Sequence, residues 1–152
     1  MQPTHILRAE QRFEKPLPEL FEFFSNASNL ESITPASLEF FIRTPKPIVM
    51  SRGTRIDYRL ALFGLPVNWR TVISEWEPPY RFVDEQESGP FALWRHEHTF
   101  EEAGDSVIMR DKVEYREPLG WLGALAHHVL VERLLTHVFA HRAQTLAQLM
   151  KA

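Results

Sequence analysis

The 152-residue chain has no cysteine, no surplus of basic residues and no long uninterrupted apolar run. The lack of cysteine excludes disulfides, thiolate metal sites and cysteine nucleophiles. A net charge of -3 offers no broad electrostatic surface for nucleic acid or for an anionic membrane. Without a run of about 20 apolar residues, or an apolar stretch after a basic start, integral membrane association is not expected. A cytoplasmic protein is therefore the default prediction.

The length suits one domain with a single core, because two cores would each be small for independent folding. We therefore expect a single domain over residues 1–152. Apolar residues make up 44% of the chain and charged residues 24%, which is ordinary for a globular protein.

Alternation of apolar and polar residues predicts a series of β-strands up to Tyr115. The first strand is expected over Ile6–Phe13, with Leu7, Ala9, Gln11 and Phe13 facing inward. Two short helices should follow, the first opening at Pro18 and the second ending near Thr34. The later strands are expected over Leu38–Thr44, Thr54–Phe63, Val67–Glu77, Tyr80–Glu87, Phe91–Phe100 and Val107–Tyr115, with turns at Gly64-Leu65-Pro66 and Gly104-Asp105.

The region from Leu119 to Met150 contains no proline and predicts one long helix. Its stripe at i, i+3, i+4 and i+7 spacing comprises Val131, Leu134, Leu135, Val138, Arg142, Leu146 and Leu149. Its polar side comprises Arg133, His137, His141, Gln144, Gln148 and Lys151. The order of elements predicts an α+β fold in which this helix covers one face of an antiparallel sheet. A curved sheet and a straight helix cannot touch everywhere, so we expect a pocket between them.

Two histidines and an aspartate fall on the apolar face of the predicted hairpin over residues 91–117. Side chains alternate along a strand, so its inner face comprises Trp94, His96, His98, Phe100, Val107, Met109, Asp111, Val113 and Tyr115. The outer face holds Arg95, Glu97, Arg110, Lys112, Glu114 and Arg116. The inner face therefore indicates the wall of a cavity with a few polar groups, which favours binding over a reaction.

His96 and His98 lie two residues apart, as in some His-x-His metal sites, and Asp111 is a candidate third ligand. No fourth-ligand signal accompanies them, so we predict that the rings line a pocket without a bound metal. His137 and His141 have the i, i+4 spacing of zinc enzymes but lack the intervening glutamate, which favours solvated histidines. No cofactor is expected.

Arg142 interrupts the apolar stripe of the last helix, so its guanidinium must find a partner or reach water. Asp111 and Asp84 are the candidate partners. The sequence leaves open whether Arg142 faces the pocket or reaches solvent near the helix end.

Aromatic residues are frequent on the predicted inner faces. Each of them alone could fill the core, but the set Tyr58, Trp69, Phe82, Trp94 and Tyr115 suits a pocket for an apolar ligand. No Ser-His-Asp order, glycine-rich phosphate loop or paired-carboxylate motif is present.

The stretch Gly89-Pro90-Phe91, together with Trp94, His96, His98, Phe100, Asp111, Val113, Tyr115, Pro118 and Gly120, resembles the SRPBCC superfamily. The likeness is to bacterial ligand-binding and polyketide cyclase/dehydrase-like members, and Phe82, Asp84, Gln86 and Arg142 also match. The resemblance implies a START-like helix-grip fold. In that fold, a seven-stranded antiparallel sheet grips the C-terminal helix over a hydrophobic cavity. It implies function only weakly, because the superfamily includes carriers, receptors and enzymes.

Two functions are consistent with the sequence. The first is binding, transport or sensing of a small hydrophobic molecule such as a lipid, polyketide or isoprenoid. The ligand-binding residues would be Tyr58, Trp69, Phe82, Asp84, Trp94, His96, His98, Met109, Asp111, Tyr115, Val138 and Arg142. The alternative is a cyclase, dehydratase or hydrolase with His96 or His98 as general base, oriented by Asp111, and Arg142 as oxyanion stabiliser. A protein-partner role through Trp121 is a third possibility.

Overall fold

A computed structural model describes residues 3–117 and 124–151, with side chains of the last helix described from residue 129 onward. Its strands are β1 His5–Phe13, β2 Phe41–Ile42, β3 Arg55–Leu62, β4 Leu65–Glu77, β5 Arg81–Ser88, β6 Leu93–Ala103 and β7 Ser106–Arg116. Its helices are α1 Leu17–Phe24, α2 Asn29–Ser32 and α3 Ala124–Leu149, with one 3₁₀ turn at Ala36–Leu38. Residues 119–123 of the predicted last helix lie outside the described residues. The predicted element order is confirmed.

All seven strands form one antiparallel sheet in the order β1-β7-β6-β5-β4-β3-β2. From β2 to β7, strands that follow one another in the chain are also neighbours in the sheet. The exception is β1, which pairs with β7, so the first and the last strand lie side by side. Register shifts in β4 between Arg70 and Thr71, and between Ile73 and Glu75, are bulges. Bulges bend a strand and increase its twist, so these two bulges add curvature to the sheet at β4.

The helix α3 lies against the inner face of the sheet at both of its described ends. Leu146, which has no exposed surface, packs in a cluster with Phe13 and Met109. Val131 and Leu135 pack against Val113 and Tyr115. The predicted stripe is therefore correct except at Leu149, which is 49% exposed. That residue is the last of the helix, and it lies outside the contacts that bury the rest of the stripe.

The predicted strand over Leu38–Thr44 was wrong in extent. Residues Ala36–Leu38 form a 3₁₀ turn, Glu39 has a left-handed φ of 46°, and only Phe41 and Ile42 pair with β3. A left-handed residue breaks the extended backbone that a strand needs, so the apolar pattern before it could not form a ladder.

The predicted turn at Gly64-Leu65-Pro66 also differs from the structure. The two turn residues are Phe63 and Gly64, with φ of 51° and 81°, and Leu65 already pairs with Leu62. Positive φ at both central residues is the geometry of a two-residue type I′ hairpin. Pro66 is tolerated inside β4 because β5 pairs with β4 only from Arg70 onward.

Within the described residues, no helix is long and apolar enough to cross a membrane.

Candidate functional site

A cavity of about 210 Å³ lies between the sheet, the short helices and α3. An apolar cavity of about 150 Å³ can hold a molecule the size of benzene, so this space admits a small organic ligand. The sheet lines it from β3 to β6 with Ile56, Tyr58, Leu60, Leu62, Trp69, Thr71, Ile73, Phe82, Asp84, Trp94, His96 and His98. The helix α3 contributes Leu134, Leu135, Val138, Phe139 and Arg142, and the remaining walls include Phe24, Leu30, Phe40, Met50 and Phe91.

Polar atoms in the aromatic wall of the cavity bond to one another. The Tyr58 hydroxyl lies 2.7 Å from the Thr71 Oγ1, and the Trp69 indole Nε1–H donates to the same oxygen at 3.1 Å. Burial raises the pKa of Tyr58, so its hydroxyl stays neutral. This part of the cavity therefore presents an apolar surface even though it contains tyrosine, tryptophan and threonine.

A second part of the wall belongs to a buried charged cluster, defined here as Asp84, His96, His98, Asp111 and Arg142, of which Asp84 is half-buried and Asp111 lies behind the cavity surface. The strand register produces it, because His98 pairs with Asp111 across β6 and β7, and Asp84 pairs with His96 across β5 and β6. Inward-facing positions on three adjacent strands thus meet at one level of the sheet.

His98 is held between two carboxylates. Its Nε2 lies 2.7 Å from Asp84 Oδ2, and its Nδ1 lies 3.4 Å from Asp111 Oδ1, a contact that is electrostatic more than a directed hydrogen bond. Burial alone would lower the pKa of His98, but the two carboxylates outweigh it and raise the pKa above the ordinary value. An ionised carboxylate only accepts hydrogen bonds, so His98 donates its Nε2–H to Asp84, and the raised pKa favours the protonated ring.

His96 differs from its neighbour although the two rings stack with centroids 3.7 Å apart. Its Nε2 lies 2.8 Å from Asp111 Oδ1. Burial and the charge of His98 lower the pKa of His96 in spite of that carboxylate. His96 is therefore neutral near pH 7, donates Nε2–H to Asp111 and keeps a lone pair on Nδ1.

Arg142 joins α3 to this cluster. Its NH2 lies 3.3 Å from Asp111 Oδ1, and its guanidinium carbon lies 5.6 Å and 5.5 Å from the ring centroids of Phe24 and Phe139. Burial would raise the pKa of Asp111, but Arg142 and the two histidines hold it well below its ordinary value. The same balance, with His98 as the main partner, lowers the pKa of Asp84. The structure therefore settles the open question about Arg142, which lines the cavity and pairs with Asp111.

Nine of the twelve predicted ligand-binding residues line the cavity: Tyr58, Trp69, Phe82, Asp84, Trp94, His96, His98, Val138 and Arg142. The other three do not. Asp111 lies behind the histidines, Met109 is buried in the cluster around Phe13 and Leu146, and Tyr115 packs with Val131 and Leu135. Their inward orientation is correct, but the body of α3 covers that part of the sheet.

Sequence reasoning missed several lining residues, including Phe91 and Phe139. Phe91 is held by Gln86, whose Nε2 donates to the Phe91 carbonyl at 2.7 Å and whose Oε1 accepts from the Phe91 N–H at 2.9 Å. The sequence signal that could have indicated this role of Phe91 is the amide side chain of Gln86, which comes just before the Gly89-Pro90 turn. For Phe139 the sequence offered no such signal, because this residue lies one position away from the apolar stripe of the last helix.

Among the described residues, Asp84, His96 and His98 each offer a donor atom within 4.8 Å of the others. Each histidine Nε2 already faces a carboxylate, and the absence of a bound metal stays a prediction. His137 is exposed on α3, and His141 contacts Thr145 at 3.4 Å. Neither lines the cavity. Trp121, the candidate for a protein-partner role, lies outside the described residues.

Solved structures of low sequence identity share this architecture. The Zhui aromatase/cyclase from a Streptomyces species matches with a TM-score of 0.78 at 10% identity, over 98% of this chain and 94% of that one. A START superfamily protein from Mycobacterium smegmatis matches with 0.69 at 12% identity, over 95% of this chain and 99% of that one. Major latex-like protein 151 from Panax ginseng matches with 0.68 at 9% identity, over 98% and 99%.

These matches confirm the helix-grip fold that the sequence resemblance implied. The chain belongs to the family described as "Domain of unknown function (DUF8410)", whose model matches residues 48–150. No curated protein matches the sequence.

Proposed function

We propose that the protein binds a small, mostly apolar molecule inside the cavity, as one folded domain. The observation that carries this proposal is the division of the cavity wall into an apolar aromatic part and the buried charged cluster. Apolar pockets with a few fixed polar groups are typical of small-molecule sites, where the polar groups orient the ligand. A lipid-, polyketide- or isoprenoid-like molecule fits this description, and the cytoplasmic location stays a prediction.

Native mass spectrometry of gently purified protein tests the proposal directly, and we expect an adduct of small-molecule mass. A fluorescent naphthalene probe should also bind, and Val138→Trp should abolish that binding because Val138 lines the cavity. Leu130→Trp is the matched control on the same helix, since Leu130 is 50% exposed. An empty protein that binds nothing across a library of lipids and aromatic compounds would overturn the proposal.

A second candidate function is acid–base catalysis by a cyclase, dehydratase or hydrolase. The observation that favours it is His96, a neutral ring that lines the cavity and donates Nε2–H to Asp111. A carboxylate that fixes the tautomer of a histidine leaves its other nitrogen free to accept a proton, as in the hydrolase triads. His98 is a poorer base because its raised pKa favours a ring that already carries both protons.

Replacement of each histidine by glutamine separates the two functions. If ligand binding persists while turnover of a bound compound is lost in His96→Gln, the enzyme is supported. If no candidate compound is turned over by the unmodified protein, the binding function stands alone.

A further inference from the structure

One oxygen of the Asp84 carboxylate is free to meet a molecule in the cavity. Asp84 lies on the inner face of β5, opposite His96 of β6, and its side chain lines the cavity. Its Oδ2 accepts the Nε2–H of His98 at 2.7 Å. Its Oδ1 has no hydrogen-bond partner among the described residues.

Access to this oxygen distinguishes Asp84 from the rest of the charged cluster. The Asp84 side chain keeps 18% of its surface accessible, whereas that of Asp111 keeps 2%. The unpartnered nitrogens in the charged cluster, His98 Nδ1 and Arg142 Nε, are enclosed by protein, but Asp84 Oδ1 is not among the enclosed atoms. Because Asp84 faces the cavity, the accessible oxygen is one that a ligand can touch.

The chemistry of a carboxylate determines what must touch it. A carboxylate oxygen accepts hydrogen bonds and has none to donate. A ligand that fills the cavity displaces the water that would otherwise hydrate Oδ1, and a purely apolar ligand cannot replace that hydrogen bond. The part of the ligand that lies against Asp84 must therefore be a hydrogen-bond donor.

The surrounding charges favour a neutral donor. Arg142 carries a permanent positive charge and lines the same cavity, so an ammonium group would be placed near a like charge. A carboxylate ligand has no hydrogen to donate at neutral pH and would meet the like charge of Asp84. A hydroxyl group supplies the donor and adds no charge to the site.

We infer that the ligand carries a hydroxyl group that donates its hydrogen to Asp84 Oδ1. This inference rests on the proposed function and specifies its ligand class, a mostly apolar alcohol or phenol. It places the hydroxyl group beside the ring of His96, which pairs with Asp84 across β5 and β6. The apolar body of the ligand then lies among the aromatic residues of β3, β4 and β6.

Four naphthalene compounds with the same number of non-hydrogen atoms test the inference: 2-naphthylmethanol, 2-methoxynaphthalene, 2-ethylnaphthalene and 2-naphthylmethylamine. The ether keeps the oxygen but has no donor, the hydrocarbon has neither, and the amine is a cation at pH 7. In fluorescence titrations of the unmodified protein at pH 7, we expect the alcohol to bind roughly tenfold more tightly than each of the other three, because hydrogen bonds to charged groups are the stronger ones.

Asp84→Leu removes the acceptor and keeps an apolar side chain of similar size. The alcohol should then bind no more tightly than the hydrocarbon, while the hydrocarbon still binds. Glu85→Leu is the matched control, because it removes a carboxylate from the same strand at a position that does not line the cavity. It should keep the preference for the alcohol. If Asp84→Leu does not fold, the four-compound comparison on the unmodified protein decides the question.

The outcomes separate the inference from the function on which it rests. If the ether or the hydrocarbon binds the unmodified protein as tightly as the alcohol, the inference is overturned and apolar ligand binding stands. A preference for the alcohol that persists in Asp84→Leu also overturns it, because another group then accepts the hydrogen. Tightest binding of the amine would replace the hydroxyl group by a cation. If none of the four compounds binds, the proposed function fails for this ligand class and the inference fails with it.

Discussion

Arg142 and Asp111 are 31 positions apart in the chain, and their NH2 and Oδ1 atoms lie 3.3 Å apart inside the protein. One residue belongs to α3 and the other to β7, so this pair ties the last helix to the sheet beside the cavity. The same Asp111 oxygen also faces His96 and His98. Three positively polarised groups therefore depend on one carboxylate.

Loss of that carboxylate should destabilise the protein strongly. We expect Asp111→Asn to lower the free energy of unfolding by about 3–5 kcal/mol, because it leaves the buried Arg142 cation without its partner. The double variant Asp111→Asn with Arg142→Met should lose less than the sum of the two single variants. Urea unfolding of all four proteins gives this coupling.

The exposed pair between Asp57 and Arg70 is the matched control. Its Nε–Oδ1 distance is 2.8 Å, shorter than that of the buried pair, but both side chains are more than 40% exposed. Asp57→Asn should therefore cost about 1 kcal/mol or less. Equal losses at Asp57 and Asp111 would show that burial does not set the energy of the Asp111 contact.

The stability of the protein should depend on pH through His98. Its pKa is raised in the folded protein because its two carboxylate partners outweigh burial. The stabilisation that follows is complete below the unfolded pKa of about 6.5 and is lost as the pH rises through the folded pKa. The free energy of unfolding of the unmodified protein minus that of His98→Gln should therefore decrease from pH 6 to pH 9.

Urea unfolding at intervals of pH measures this difference, with His137→Gln as a control on the exposed side of α3. Asp84 acts in the opposite pH direction. Burial would raise its pKa, but His98 and the other cationic groups lower it, so its stabilisation is present above about pH 4 and is lost as the pH falls through the folded pKa. A difference for His98→Gln that is flat from pH 6 to pH 9 would contradict a raised pKa of His98 in the folded protein.

Much of the charged cluster was predictable from the sequence because strand geometry is local. Alternation placed His96, His98 and Asp111 on one face, and a two-residue turn at Gly104-Asp105 sets the register that opposes His98 to Asp111. Arg142 stood out because a guanidinium in an apolar stripe needs a partner. The helix pattern could not predict that Arg142 pairs with Asp111 and does not reach solvent, because the pattern carries no information on how the helix docks on the sheet.

The residues that short segments contribute to the cavity wall were also not predictable, because local patterns do not show how these segments dock on the sheet. Phe24 and Leu30 reach the cavity because α1 and α2 fold back over the sheet, and Phe91 reaches it through its bonds to Gln86. The brevity of β2 follows from the left-handed backbone at Glu39, which no hydrophobic pattern encodes. Tertiary placement, more than local propensity, decides which apolar residues line the cavity.

The hairpin turn at Phe63 stores backbone strain that a substitution should release. Phe63 has a φ of 51° and its side chain is 59% exposed, so burial of the ring does not compensate for the backbone strain. Asparagine tolerates the left-handed region far better and is favoured before glycine in type I′ turns. Phe63→Asn should raise the free energy of unfolding by about 0.5–1 kcal/mol.

Thermal and urea unfolding check this expectation, and Phe41→Asn provides the control. Phe41 is 61% exposed but lies in β2 with an ordinary negative φ, so it should show no gain and a small loss through lower strand propensity. A loss of stability in Phe63→Asn would show that the exposed ring makes a stabilising contact.

Gln86 should act on the ligand site through the position of Phe91. Gln86→Ala removes the two hydrogen bonds to the Phe91 backbone, so we expect a loss of about 1–3 kcal/mol in the free energy of unfolding. Binding of the naphthalene probe should also weaken, because Phe91 lines the cavity and packs against Trp69 and Trp94. Gln144→Ala, at an exposed position of α3, should change neither quantity. If Gln86→Ala loses stability but binds the probe as before, the bonds to Phe91 support the fold without shaping the cavity.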